Sequence, residues 1–338
     1  MTDETPTSAT PARRASWLGI GLGTLVLLLV AIGAWWNRAP GQFDVNVVAR
    51  TRSGQAEGTL ARGTVTTATL IEVIDRLLHK SGGYLSNDRL PPGLLMDDMP
   101  NWEWGVLVQA RDLAVAMRND MSRSQTQSTE NVDLVAADNH LRIDSTSWVF
   151  PAAETEYGDA ADNLAAYLRH IRAEDQPETQ FYARADNLRN WLALVEKRLG
   201  DLSQRLGASV GHARINRDLS GEPGAERSTS APVETMVQTP WLELDDVFYE
   251  ARGASWALLH FLRAVEVDFS SVLEKKNALV SLRQIIRELE GTQATMWSPM
   301  VLNGDGFGVL ANHSLVMASY ISRANAAVID LRMLLERG

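Results

Sequence analysis

Two adjacent aspartates, Asp97 and Asp98, and a glutamate five residues on, Glu103, are the residues of this chain with most scope for chemistry. Converging carboxylates can hold a hard divalent cation, or divide acid and base work between them. They belong to an unusual stretch, 83–123, that opens Gly-Tyr-Leu-Ser-Asn-Asp-Arg-Leu-Pro-Pro-Gly and continues into Asn101-Trp-Glu-Trp-Gly105. Together with Asn87, Asp88, Trp102 and Trp104 they outline a candidate contact surface on the 84–104 loop. Long loops without regular structure are often functional. A structural reading competes: Trp102 and Trp104 pack on helices, and Asp98 caps a helix whose first turn holds Pro100.

The remaining motifs are weaker. Gly207-Ala-Ser-Val-Gly211 spells GxSxG, but that motif works on a strained strand-to-helix turn. Here a long amphipathic helix precedes it, so helix-end glycines are expected. Asn303-Gly-Asp-Gly-Phe-Gly308 resembles the start of a calcium loop, yet positions five and twelve hold Phe307 and Ser314 where oxygen ligands are needed. The six histidines are scattered and form no HExxH. No phosphate-binding GxxxxGK[ST] and no GxGxxG after a strand occurs, so no cofactor is expected. Cysteine is absent, which excludes thiol catalysis and thiolate metal sites.

The elements that must position these residues read as helical. Thr66 or Thr67 caps a helix carrying Leu70, Ile74 and Leu77 that ends at Gly82-Gly83. A helix from about Trp104 to Met121 follows the loop, then a shorter one over 130–141 and one spanning Tyr157 to Ile171. The i, i+3, i+4 spacing is clearest over 180–210, from Phe181 through Leu188, Leu192 and Val195 to Leu206. Thr239 and Pro240 start a helix to about 268, a second covers 270–290 and ends at Gly291, and a last one runs to the C-terminus. Phe43 to Val47 alternates in the manner of one short strand. The ten tryptophans serve the anchor (Trp17, Trp35, Trp36) and otherwise fill helix–helix interfaces.

An uncharged stretch from Ala15 to Asn37 separates Arg14 from Arg38. A bilayer core needs about 20 apolar residues as a helix, so this segment can span once. Arg13 and Arg14 favour a cytoplasmic N-terminus and an exported body, although Arg38, Arg50, Arg52 and Arg62 weaken the bias. Ala31-Ile32-Gly33 would suit signal cleavage, but a signal core spans about 7–15 apolar residues, and this one is longer and ends in two tryptophans. Of the net charge of −10, residues 1–38 contribute two acids and three arginines, leaving −11 on the body. That acidity gives no general attraction for nucleic acid.

The segments Gly82-Gly-Tyr-Leu-Ser-Asn-Asp88, Met99-Pro-Asn-Trp-Glu-Trp-Gly105, Arg118-Asn-Asp-Met-Ser-Arg-Ser124, Gln180-Phe-Tyr-Ala-Arg-Ala-Asp-Asn187 and Leu310-Ala-Asn-His-Ser-Leu315 resemble a family of membrane-anchored proteobacterial proteins. That family is known as domain of unknown function family 2333. The resemblance covers most of the chain after residue 60 and implies a Gram-negative envelope protein with one N-terminal span; it supplies no activity. With the arginine bias, this places the expected protein in the inner membrane with a periplasmic body.

The expected architecture is therefore all-α. A tail at 1–14, a membrane helix at 15–37 and a linker at 38–65 lead into an elongated, bundle-like helical domain at 66–338 with a flexible insertion at 218–238. The expected function is a non-enzymatic envelope module whose partner is another envelope protein or a second copy. The alternative is a metal-dependent or acid/base enzyme acting through the 84–104 loop, and a ligand sensor is a third possibility.

Overall fold

The computed structural model describes residues 11–55, 57–124, 129–172, 179–215, 234–298, 300–304 and 310–337. Eleven helices make up almost all of the regular structure among them. The helices are α1 (Pro11–Trp36), α2 (Val45–Ser53), α3 (Thr64–His79), α4 (Asp98–Ala116), α5 (Val132–Leu141), α6 (Ala153–Arg172), α7 (Ala185–Gly207), α8 (Leu244–Asp268), α9 (Ser270–Lys275), α10 (Leu279–Thr292) and α11 (His313–Glu336). A two-stranded antiparallel hairpin pairs β1 (His212–Ile215) with β2 (Glu234–Val237), His212 opposite Val237. The expected insertion at 218–238 falls mostly outside the described residues, and its part at Glu234–Val237 is β2.

The centre of the molecule is the pair α4–α8. Asn101 Nδ2 donates to Asp246 Oδ1 at 2.7 Å, and four residues further along both helices Gly105 lies against Glu250. Equal steps on both chains make the pair parallel, so both N-termini lie at the same end. Contact is backbone to backbone. A Cβ on Gly105 would lie 2.1 Å from the Glu250 carbonyl oxygen, and one on Gly253 would lie 2.0 Å from that of Trp102. Trp102 and Trp256 fill the remaining space with ring centroids 5.3 Å apart, both fully buried.

Around this pair the other helices bury one face each. α7 and α11 run antiparallel, joined at Arg332–Glu196 and at Arg189–Glu336. α10 lies antiparallel to α11, with Arg323 Nε 2.8 Å from Glu288 Oε2 and the Tyr320 ring against Gly291. α5 and α6 form a second antiparallel pair beside α3 and α4.

Local chemistry moved several boundaries. The alternation at 43–47 yields a helix, because Asp44 Oδ1 accepts from the Asn46 and Val47 amides at 2.8 and 3.2 Å and caps α2. Phe43, Val45 and Ala49 are buried, so the expected linker at 38–65 contributes to the core. Thr66 lies inside the first turn of α3, where its amide and hydroxyl both donate to Asp268 Oδ2 at 2.7 Å. The Thr239 amide donates to the Ala208 carbonyl, and a short 3-10 turn, Trp241–Glu243, precedes α8. The helix expected over 270–290 breaks at Asn277, whose φ of 50° is left-handed, a conformation that asparagine adopts more readily than most. Among the described residues, Trp102, Trp191 and Trp256 are the fully buried tryptophans; Trp104, Trp148, Trp241 and Trp297 are exposed, contrary to the expectation that the body's tryptophans fill interfaces.

His260 joins the segment before α2 to the core. Its Nε2 accepts from the Phe43 amide at 3.1 Å, its Nδ1 lies 2.7 Å from the Trp256 carbonyl, and its ring stacks on Phe43. These partners require the neutral Nδ1–H tautomer. Burial pushes the imidazole pKa down to about 4.

Two outcomes follow from this packing. Gly253→Ala should destabilise the protein by about 1–3 kcal/mol, because two backbones must separate. Gly158→Ala, on α6 with nothing within 4 Å of an added Cβ, should be neutral or stabilise by up to about 1 kcal/mol. Equal melting temperatures for both variants would refute the close-packing account. The second outcome concerns acid. Between about 6.5 and about 4 an unfolded chain binds the His260 proton and the folded one does not, so stability falls as pH drops through that window. Asp268, raised to about 6 by burial, opposes this in an overlapping range. The comparison is therefore between variants: His260→Gln should lose less stability from pH 7 to pH 4.5 than the parent, by up to about 3 kcal/mol.

Candidate functional site

The 84–104 loop is held from beneath by one buried ion pair. α3 ends at His79, Lys80 leaves it in extended conformation, and Gly82 and Gly83, at φ of 87° and 75°, turn the chain back. The Lys80 ammonium points inward to Glu103, on the second turn of α4, and also donates to the Gly83 carbonyl. Both side chains have essentially no exposure. Glu103 Oε1 also accepts the Leu85 amide at 2.8 Å, while Oε2 accepts the Ser86 amide at 2.8 Å and the Ser86 hydroxyl. Burial pushes the carboxyl up and the ammonium down. Donors on both carboxylate oxygens nevertheless leave no place for a proton on Glu103, so the pair is ionised.

The other candidate residues separate into two groups. Trp102 is sealed in the α4–α8 interface, and Asn87 is buried with its Nδ2 donating to the Ser147 carbonyl at 2.9 Å and Glu154 Oε2 at 2.6 Å. Trp102, Glu103 and Asn87 thus form no part of a contact surface, because each is consumed in holding the loop. Asp88 is half-buried and fills the space a Gly93 side chain would take, with Oδ2 2.0 Å from where a Cβ would stand. Burial and then Glu154 push its carboxyl up, while Lys80 offsets part of this.

Asp97 is exposed and accepts from the Asp98 amide at 3.0 Å. Trp104 is partly exposed, with the Arg111 guanidinium 5.4 Å over its ring. Asp98 accepts from Asn37 Nδ2 at 2.9 Å, one residue past the end of α1. Its carboxyl is pushed up to about 6, by burial first and then by like charges on Asp97, Asp245 and Asp246, which the parallel arrangement of α4 and α8 places at one end. Glu103 is therefore enclosed while Asp97 and Asp98 lie outside at the helix start. The three carboxylates share no solvent-facing site.

This same end carries the first helix. The Trp36 ring packs on Gly82, where an added Cβ would lie 2.7 Å from it. Gly33, Ala34 and Asn37 line a cleft of about 220 Å³ with Leu95, Met96, Asp97 and Asp98. Gly19–Trp36 is long and apolar enough to cross a membrane, and none of it is buried in the body.

A model of a bacterial protein family, DUF2333, described as uncharacterised and conserved in bacteria, matches residues 11–338. The chain belongs to this family. Comparison with curated proteins and with solved structures gave no match. In this DUF2333 chain, Ser209 of the GxSxG match is buried in a 3-10 turn after α7, without the strand that motif requires. The Asn303 loop is outside the described residues at 305–309.

Three ligand-type side chains do gather elsewhere. His140, Glu156 and Asp159 have donor atoms within 4.8 Å of one another, and His140 Nδ1 lies 2.7 Å from Glu156 Oε2. His140 and Glu156 bond to each other across α5 and α6, and Asp159 lies exposed beside them. An apolar cleft of about 290 Å³ lies between Phe248, Trp297, Val316, Met317 and Tyr320.

Sequence reasoning missed Lys80, Asn37, Ser86 and Glu154, whose partners lie 17 to 67 residues away. Lysine directly before a Gly-Gly turn is the one local signal, and it is weak.

Glu103→Ala should cost about 3–5 kcal/mol, since Lys80 would keep a buried charge without a partner. The Leu85 and Ser86 amides would also lose their acceptor. Limited proteolysis should then cut within 84–97. A loss inside about 0.5 kcal/mol, the range of an ordinary surface change, would contradict the pinning role.

Proposed function

We propose that this chain is a single-pass membrane protein whose helical body is a non-enzymatic interaction module held directly on the membrane helix. The observation that carries this reading is the junction at Trp36 and Asn37. α1 runs unbroken through Gly33, keeps its apolar face uncovered, and then docks into the body within one residue of its end. A cleaved leader has no need of a fitted partner such as Pro92, which lies 3.7 Å from where a Gly33 Cβ would be. Arg13 and Arg14 before the span support a cytoplasmic N-terminus and a periplasmic body in the inner membrane.

The loop beside the junction supports interaction over catalysis. Its best acid, Glu103, is committed to Lys80 and two backbone amides. What remains facing outward is a contact surface of mixed character: Arg89, Asp97 and Trp104. Its partner is another envelope protein or a second copy of the chain, and anchoring raises its local concentration.

Protein isolated from membranes should resist carbonate extraction and retain residues ahead of Ala34. A mature chain starting at Ala34 and released by carbonate would refute anchoring. Photocrosslinkers placed at Arg89, Asp97 and Trp104 should each yield a discrete adduct in cells. Absence of any adduct, together with a monomeric detergent-solubilised protein, would refute the interaction role.

A further inference from the structure

The residues Leu90 to Met96 read Leu-Pro-Pro-Gly-Leu-Leu-Met, seven in a row without a charge. Leu90 and Leu95 are 77 % and 76 % exposed, and Leu94 is also exposed. Leucines at this exposure on a pinned loop are not waiting to enter the core, since Glu103, Asn87 and Gly93 fix the backbone on either side. A second exposed apolar run, Trp148-Val149-Phe150, adjoins it, with Phe150 at 96 %. The two are tied together: Arg89 donates to the Thr146 carbonyl at 3.2 Å and its guanidinium lies 5.9 Å over the Trp148 ring, while Asn87 donates to the Ser147 carbonyl. Contiguous apolar surface of this kind marks an interaction site or a membrane contact.

Position decides between them. Leu95 and Met96 line the same cleft as Gly33 and Ala34, and Pro92 faces Gly33. Gly33 lies three residues before the end of α1, and at 1.5 Å per residue that is about 4.5 Å inside the span's end. Groups lying in the interface reach about 5–10 Å into the headgroup–acyl boundary. The loop is therefore at interfacial depth wherever α1 crosses a bilayer.

We propose that 90–96, flanked by Trp148–Phe150, is a second membrane-contacting element that embeds its leucines in the outer interface of the bilayer beside α1. The proposal rests on reading α1 as a span. Its occupant is the apolar boundary of the lipid, not anionic headgroups: Asp97, Asp98, Asp245 and Asp246 sit at this end and repel anionic surface. Embedding is thus independent of salt. It fixes the depth of the body and, with α1, supplies two points of support on the membrane.

The absence of cysteine makes single-site labelling of the full chain direct. Leu95→Cys, Leu27→Cys and Val280→Cys, each carrying an environment-sensitive fluorophore, would be reconstituted in phosphatidylcholine vesicles. Leu27 lies mid-α1, while Val280 is exposed near the far end of α8, three residues from Arg283, which pairs with Glu266. Brominated lipid should quench the labels at 95 and 27 several-fold more than the one at 280, unchanged in high salt. If 27 is quenched but 95 behaves as 280 does, the loop proposal is overturned and the span stands. Should 27 also fail to quench, the span reading falls and this one with it. A label at 95 shielded from aqueous iodide but not quenched by brominated lipid would point to protein contact, which likewise overturns the proposal.

Discussion

Lys80 and Glu103 are two charges with almost no contact with water, and the end of the molecule that carries α1 and the 84–104 loop is arranged around them. Neither could be there alone. An isolated buried ion costs several kcal/mol, and only the combination of a counter-charge with fully used hydrogen-bonding positions offsets that. Glu103 reaches this state by accepting from two consecutive amides, Leu85 and Ser86, so the pair is also a backbone clamp. The clamp sets where the chain goes after α3 and how it enters α4. Asn87, Asp88 and Gly93 then have one path available. Hydrophobic burial determines how strongly the body holds together, while this polar contact determines which way the loop faces.

The glycine contacts of α4 and α8 do the complementary work. Parallel helices in direct backbone contact bring both N-termini to one end, and with them Asp97, Asp98, Asp245 and Asp246. Helix N-termini favour negative charge through their unpaired amides. Four carboxylates in one region nevertheless repel, and that repulsion adds to burial, the larger cause, in raising the pKa of Asp98. The Asn37 amide, arriving from α1, donates a hydrogen bond into that negative region without adding a charge.

The fold class was legible in the sequence where one helix face repeats for many turns. α7 is the best case, with Leu188, Leu192, Val195, Leu199, Leu202 and Leu206 all buried as the spacing predicts. Short elements were not legible. The alternation at 43–47 suits a strand, yet the Asp44 side chain satisfies two amides that a strand would have left open. The loop was recognised as unusual, but three of its residues, Asn87, Trp102 and Glu103, are buried where a contact surface would need them exposed. Nothing local distinguishes a glutamate that caps, catalyses or closes a buried pair, and Lys80 is 23 residues away. The exposed tryptophans were misplaced for a related reason: apolar character favours burial without requiring it, since much of a folded surface is still apolar.

The fit of Trp36 against Gly82 has a mechanical meaning. A body on a flexible leash sweeps a volume set by the length of that leash and meets its partners at every angle. Here the leash has no length: the helix end and the body share side-chain contacts within a few residues. Tilt or rotation of α1 would be passed to the body as a lever passes torque. If α1 spans a bilayer as proposed, a thicker or thinner bilayer that re-angles the helix would swing every outward-facing residue through the same arc.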